Sequence, residues 1–143
     1  MCWKWAVACV RRWFEVIITR PVFDTYDAYL REVVLIHEVA HIYFNRARKK
    51  DSDYEEIWKM VSEFDLDIVL RINEILGTNY KKNAWVSNYA KTNHKEDFAE
   101  CRRIPFMRKA KGRHEPYGDW RDIKILIADN ICEQFKSNTF DTK

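Results

Sequence analysis

His37-Glu38-Val39-Ala40-His41 is the stretch of this chain whose residue types and spacing can do chemistry at a metal. On a helix, residues four apart lie on one face about a turn apart, so the two imidazoles can hold a single ion. Glu38 follows His37 by one position, about 100° round the helix. It flanks the ion instead of binding it, and can reach a metal-bound water as a general base. A structural zinc site is closed by four protein ligands, whereas a catalytic one has three and keeps a position for water. The pattern therefore calls for one more ligand.

That ligand is not a histidine just downstream. His41 is followed by Ile42-Tyr43-Phe44-Asn45-Arg46-Ala47, which excludes the H-E-x-x-H-x-x-G-x-x-H form. The remaining candidates are His94, Glu96, Asp97, Glu100 and His114. Glu96 and Glu100 share a helical face at i, i+4, with Phe98 and Ala99 free to pack elsewhere. One of the two can bind zinc and the other can orient a ligand histidine. The competing reading is a buried helix with two hydrogen-bonded histidines. Chance would produce H-E-x-x-H roughly 0.01 times in a chain of this composition.

The segment Ser87-Asn88-Tyr89-Ala90-Lys91-Thr92-Asn93-His94-Lys95-Glu96-Asp97-Phe98-Ala99-Glu100 resembles the second metal motif of the anthrax lethal factor catalytic domain and its relatives, including the Pro-Pro endopeptidases. Tyr89 precedes Glu96 by seven residues, as a tyrosine precedes the glutamate ligand in that family, and Phe98-Ala99-Glu100 matches the Phe-Ala-Glu triplet that follows. The resemblance implies a zinc-dependent endopeptidase with one ion held by His37, His41 and Glu96. It also implies Glu38 as the base, Tyr89 as a hydrogen-bond donor to the oxyanion, and Glu100 as the carboxylate that holds a ligand histidine. The implied fold is a compact zincin-like α+β domain, predominantly helical, with a short N-terminal sheet. Two features depart from the family. Glu100 is followed by Cys101-Arg102-Arg103-Ile104-Pro105 where small and apolar residues are usual. The segment before His37 is short for a sheet whose edge pairs with an extended peptide, as expected of a domain truncated on that side. The alternative function is a catalytically degenerate zinc-binding interaction module.

The elements that must position these groups are mostly helices. Trp3 to Thr19 reads as one or two strands, with Trp13-Phe14-Glu15-Val16-Ile17-Ile18-Thr19 β-branched and aromatic up to Arg20-Pro21. A helix is predicted from near Asp24 or Thr25 to Lys50, buried nearly all round by Leu35, Ile36, Val39, Ile42, Tyr43 and Phe44. Ser52-Asp53-Tyr54-Glu55 has capping-box spacing and opens one long helix, or two with a bend near Asp65, up to Gly77. Ala84 to Thr92 is irregular, and Glu96 to Cys101 is helical. A last helix from about Asp119 to Phe135 carries Trp120, Ile123, Ile127, Ile131 and Phe135 at helical period.

A length of 143 residues, 47% of them hydrophobic, fits a single domain over 1–143. With 25 basic and 22 acidic residues the net charge is +3, too mild to indicate a polyanionic partner. A peptide or protein substrate is the expected partner, and neither membrane nor nucleic acid is expected. The run Arg102, Arg103, Arg108, Lys109, Lys111 and Arg113 reads as a solvated surface loop. Cys2, Cys9, Cys101 and Cys132 form no C-x-x-C pair, and reduced thiols in a cytoplasmic compartment are expected. Trp3 to Val10 is interrupted by Lys4 and closed by Arg11-Arg12, unlike a signal peptide.

Overall fold

The computed structural model describes residues 8–11, 15–18, 27–82 and 84–140. Five α-helices carry the fold among them: α1 (Ala28–Lys50), α2 (Asp53–Ser62), α3 (Leu66–Leu76), α4 (His94–Ala110) and α5 (Trp120–Phe140). A single 3-10 turn, Tyr89–Thr92, precedes α4. Strands β1 (Ala8–Arg11) and β2 (Glu15–Ile18) pair antiparallel, with Cys9 opposite Ile17 and Val10 opposite Val16.

The expectation of an α+β domain with a short N-terminal sheet is corrected, while its predominantly helical character holds: the described residues are mostly helix. The β-structure described is one hairpin of four-residue strands beside α1. A lone two-stranded hairpin is too small to form a layer against which helices pack. The remainder of the Trp3–Thr19 prediction lies outside the described residues.

α1 begins at Ala28, where Asp27 in an extended conformation accepts a hydrogen bond from Leu30 N–H at 2.8 Å. The predicted start at Asp24 or Thr25 lies outside the described residues. The helix ends at Lys50 with Arg48, Lys49 and Lys50 in its last turn, at the negative end of the helix dipole.

The capping box predicted at Ser52 does not form. Ser52 is already helical and makes no side-chain cap, while Asp51 accepts from Asp53 N–H at 2.9 Å. Glu55, the other half of that box, is drawn off to His94, 2.9 Å away. The bend near Asp65 is a full break. Phe64 takes a left-handed φ of 58°, a strained conformation for a bulky residue, and Asp65 caps α3 through Ile68 N–H. Gly77, at φ 65°, ends α3 as an αL cap.

The core is aromatic and lies among α1, α2, α4 and α5. Phe98 packs between Phe44 and Trp58, with ring centroids 4.9 and 5.2 Å away. Both buried indoles are satisfied: Trp58 donates to the His94 carbonyl at 2.6 Å and Trp120 to the Val61 carbonyl at 3.0 Å. α1 and α4 share the most extensive contact in the fold. The two halves of the sequence signature lie on these helices.

α4 runs on through Pro105 to Ala110, so the basic stretch is largely helix instead of loop. Arg102 pairs with Asp129 at 2.5 Å. Arg108 reaches Glu115 and lies 4.0 Å over the Tyr117 ring, whose centroid is also 3.9 Å from Arg121. No described helix is long and apolar enough to cross a membrane.

Candidate metal centre

α1 presents His37 and His41 from successive turns of one face, with rings 4.9 Å apart and edge-on. Opposite them, Asn93 caps α4 by accepting from Glu96 N–H at 2.9 Å, which sets Glu96 in the first turn. Phe98 and Ala99 are wholly buried and clamp α4 against α1. Glu96 Oε1 lies 3.0 Å from His37 Nε2 and 2.7 Å from His41 Nε2, and the two nitrogens are 3.2 Å apart. Among the described residues, these three side chains form the group that could hold a metal ion.

The protonation of this cluster calls for a cation. Glu100 Oε2 accepts from His37 Nδ1–H at 2.8 Å, so in neutral His37 the Nε2 carries a lone pair. That lone pair faces a carboxylate oxygen and a second imidazole nitrogen. Three electron-rich atoms at this distance need a proton or a metal between them. Two imidazoles and a carboxylate suit zinc, whose tetrahedral ligand atoms stand about 3.3 Å apart. The residues present therefore fit the ion implied by the sequence.

Without a metal the proton takes that place. Burial opposes a charge on His37, but hydrogen bonds to Glu100 and Glu96 and the charges of both carboxylates outweigh it, pushing its pKa up to about 9. Burial also works against both carboxylates and is overcome. Glu96 is held well below the usual range by hydrogen bonds to His37 and His41, and Glu100 is brought down to about 2 by Arg103, His37 and Ser87.

Glu38 is half-buried on α1. Burial raises its carboxyl pKa, with His37 and His41 pulling the other way and Glu96 adding to the rise. Tyr89 stands on the open side, 52% exposed, its ring 5.8 Å from that of His37. Its hydroxyl donates to Glu96 Oε2 at 3.1 Å. Burial, with the Glu96 charge and hydrogen bond behind it, raises the phenol to about 12, so it stays protonated.

The other candidate ligands lie elsewhere. Asp97 is wholly buried on another face of α4, where Ser62 donates to it at 2.6 Å and Lys124 Nζ lies 2.9 Å away. His94 is half-buried and paired with Glu55. His114 is exposed beyond the end of α4.

Two groups in the cluster escaped the sequence reading. Ser87 donates to Glu100 Oε1 at 2.7 Å, and Arg103 grips both Glu100 oxygens. Arg103 carried a signal, since i, i+3 from a glutamate is pairing distance on a helix. Ser87 carried none, because its reach to Glu100 depends on the path of the irregular segment before α4.

No family model matches the chain, and neither the curated proteins nor the solved structures contain a match to it.

Proposed function

We propose that this protein is a zinc-dependent peptidase, with His37, His41 and Glu96 holding one ion. The observation that carries the reading is the convergence of His37 Nε2, His41 Nε2 and Glu96 Oε1 from two helices, with Glu38 and Tyr89 beside them. The resemblance of the Tyr89–Glu100 segment to the lethal factor motif supports the same assignment. When bound, the ion lowers the pKa of a coordinated water to around 7 and polarises a carbonyl.

The chain supplies the rest. Glu38, a carboxylate made more basic by burial, takes the proton of the attacking water and returns it to the leaving amine. The Tyr89 hydroxyl, which donates to Glu96 in the resting protein, turns to donate to the developing oxyanion. Its exposure leaves it free to do so. Glu100 holds His37 in the tautomer that keeps Nε2 available.

Glu38→Gln tests the reading. Wild type and variant are expected to bind one zinc each, and cleavage of a mixed peptide library is expected to fall on the order of 10²- to 10⁴-fold in the variant. Zinc without cleavage in the wild type would favour a second reading, a zinc-binding interaction module. One observation speaks for that reading: the described hairpin is a small edge for an extended peptide to pair with.

A further inference from the structure

We propose that Arg103 is a positioning residue of the metal centre, acting through Glu100 on His37; the inference rests on the metal-site reading above. Arg103 follows Glu100 by one helical turn and reaches back along α4, with Nε 2.5 Å from Oε2 and Nη2 2.6 Å from Oε1. Its Nη1 is anchored on Met107 Sδ at 3.1 Å, one turn further on. The Ser87 hydroxyl adds a donor to Oε1 at 2.7 Å. Oε1 thus takes Arg103 and Ser87, and Oε2 takes Arg103 and His37 Nδ1–H at 2.8 Å.

Glu100 is wholly buried. A carboxylate there whose oxygens are not held swings toward whatever donor is near. The planar guanidinium, bound to both oxygens, prevents this. It keeps Glu100 an acceptor in one orientation, and so keeps the proton of His37 on Nδ1 and the Nε2 lone pair toward His41 and Glu96. Arg102, the neighbouring base, is committed to Asp129 instead. Of the Arg102-Arg103 step, which departs from the small and apolar residues usual after the glutamate of the motif it resembles, Arg103 thus becomes part of the site.

Cobalt(II) is the probe for this. It is titrated into the full-length wild type, Arg103→Lys and Arg103→Met, following the visible ligand-field bands and measuring Kd by chelator competition, with melting of the metal-free proteins alongside. Lysine keeps the charge but cannot span both carboxylate oxygens. Both variants are expected to bind cobalt about ten-fold or more weakly with altered bands, while metal-free Arg103→Lys melts close to wild type. Should Arg103→Met fail to fold, Arg103→Lys carries the comparison. Wild-type cobalt affinity in Arg103→Lys overturns the proposal and leaves the metal site standing. So does a loss of affinity matched by collapse of metal-free Arg103→Lys. A wild type that binds no cobalt overturns the metal site and this proposal with it.

Discussion

Lys124 Nζ lies 2.9 Å from Asp97 Oδ2, with both side chains wholly buried. The ammonium also lies 3.7 Å from the centroid of Trp85 and 4.2 Å from that of Phe64, so two aromatic faces help to replace its water. Burial lowers the Lys124 pKa and raises that of Asp97, and the opposite charge of each partner works against this. Asp97 directly follows Glu96, yet the two carboxylates leave α4 on different faces, about 100° apart. One meets Lys124 and Ser62 in the core and its neighbour meets His37 and His41.

Neighbouring substitutions are therefore expected to do different things. Asp97→Asn leaves a buried ammonium without its counter-charge and should cost about 3–5 kcal/mol of stability, read as a drop in denaturant midpoint. Glu96→Ala should lower the midpoint of the metal-free protein by less, since the Glu96 side chain keeps some contact with solvent, and should abolish retention of zinc through gel filtration. Equal zinc loss per folded molecule in both variants would count against Glu96 as a ligand.

Tyr89→Phe removes the hydroxyl and little else, since the ring is half-exposed and outside the aromatic core. Zinc stoichiometry and melting temperature should be unchanged. Peptide hydrolysis should fall by about 10²- to 10³-fold in kcat with KM nearly constant, as for loss of one oxyanion donor. A rise in KM at unchanged kcat would mean that Tyr89 binds substrate without serving the transition state.

The grouping of His37, His41 and Glu96 was legible because its signature is local. H-E-x-x-H needs only helical periodicity, and Glu96 with Glu100 needs only another turn of the same rule. What brings the two helices together was less visible. Phe98 reads as one more apolar residue until it is found between Phe44 and Trp58. Asp97 stood among the candidate ligands behind Glu96 and Glu100, because no local rule says which of two adjacent carboxylates meets a lysine 27 positions away. The basic run was expected to be a surface loop, but α4 continues through Pro105 to Ala110, with Arg102, Arg103 and Arg108 in ion pairs along it. The expected sheet rested on the β-branched and aromatic run before Pro21, and among the described residues it amounts to one hairpin beside the helices. The functional motif and the architecture around it thus rested on separate grounds.

The pH response of the metal-free protein should reveal the proton that stands in for the ion. The pKa of His37 rises from 6.5 to about 9 on folding, so its contribution to stability is fully present below 6.5 and is lost as pH climbs through 9. That of Glu100 falls from 4.5 to about 2, so its contribution is present above 4.5 and is lost as pH drops through 2. Glu38 and Asp97, raised by burial, each lose a contribution as pH rises from the ordinary carboxylate pKa to the raised one. The melting temperature of metal-free protein should therefore fall between pH 6.5 and 9, and His37→Gln should flatten that fall. Zinc competes for the same Nε2, so binding at pH 7 should release about one proton, measurable by calorimetry in two buffers of different ionisation enthalpy. Zinc uptake without proton release, together with a flat melting profile over that window, would show that His37 is neutral in the metal-free protein. The three converging atoms would then need another means of sharing their space.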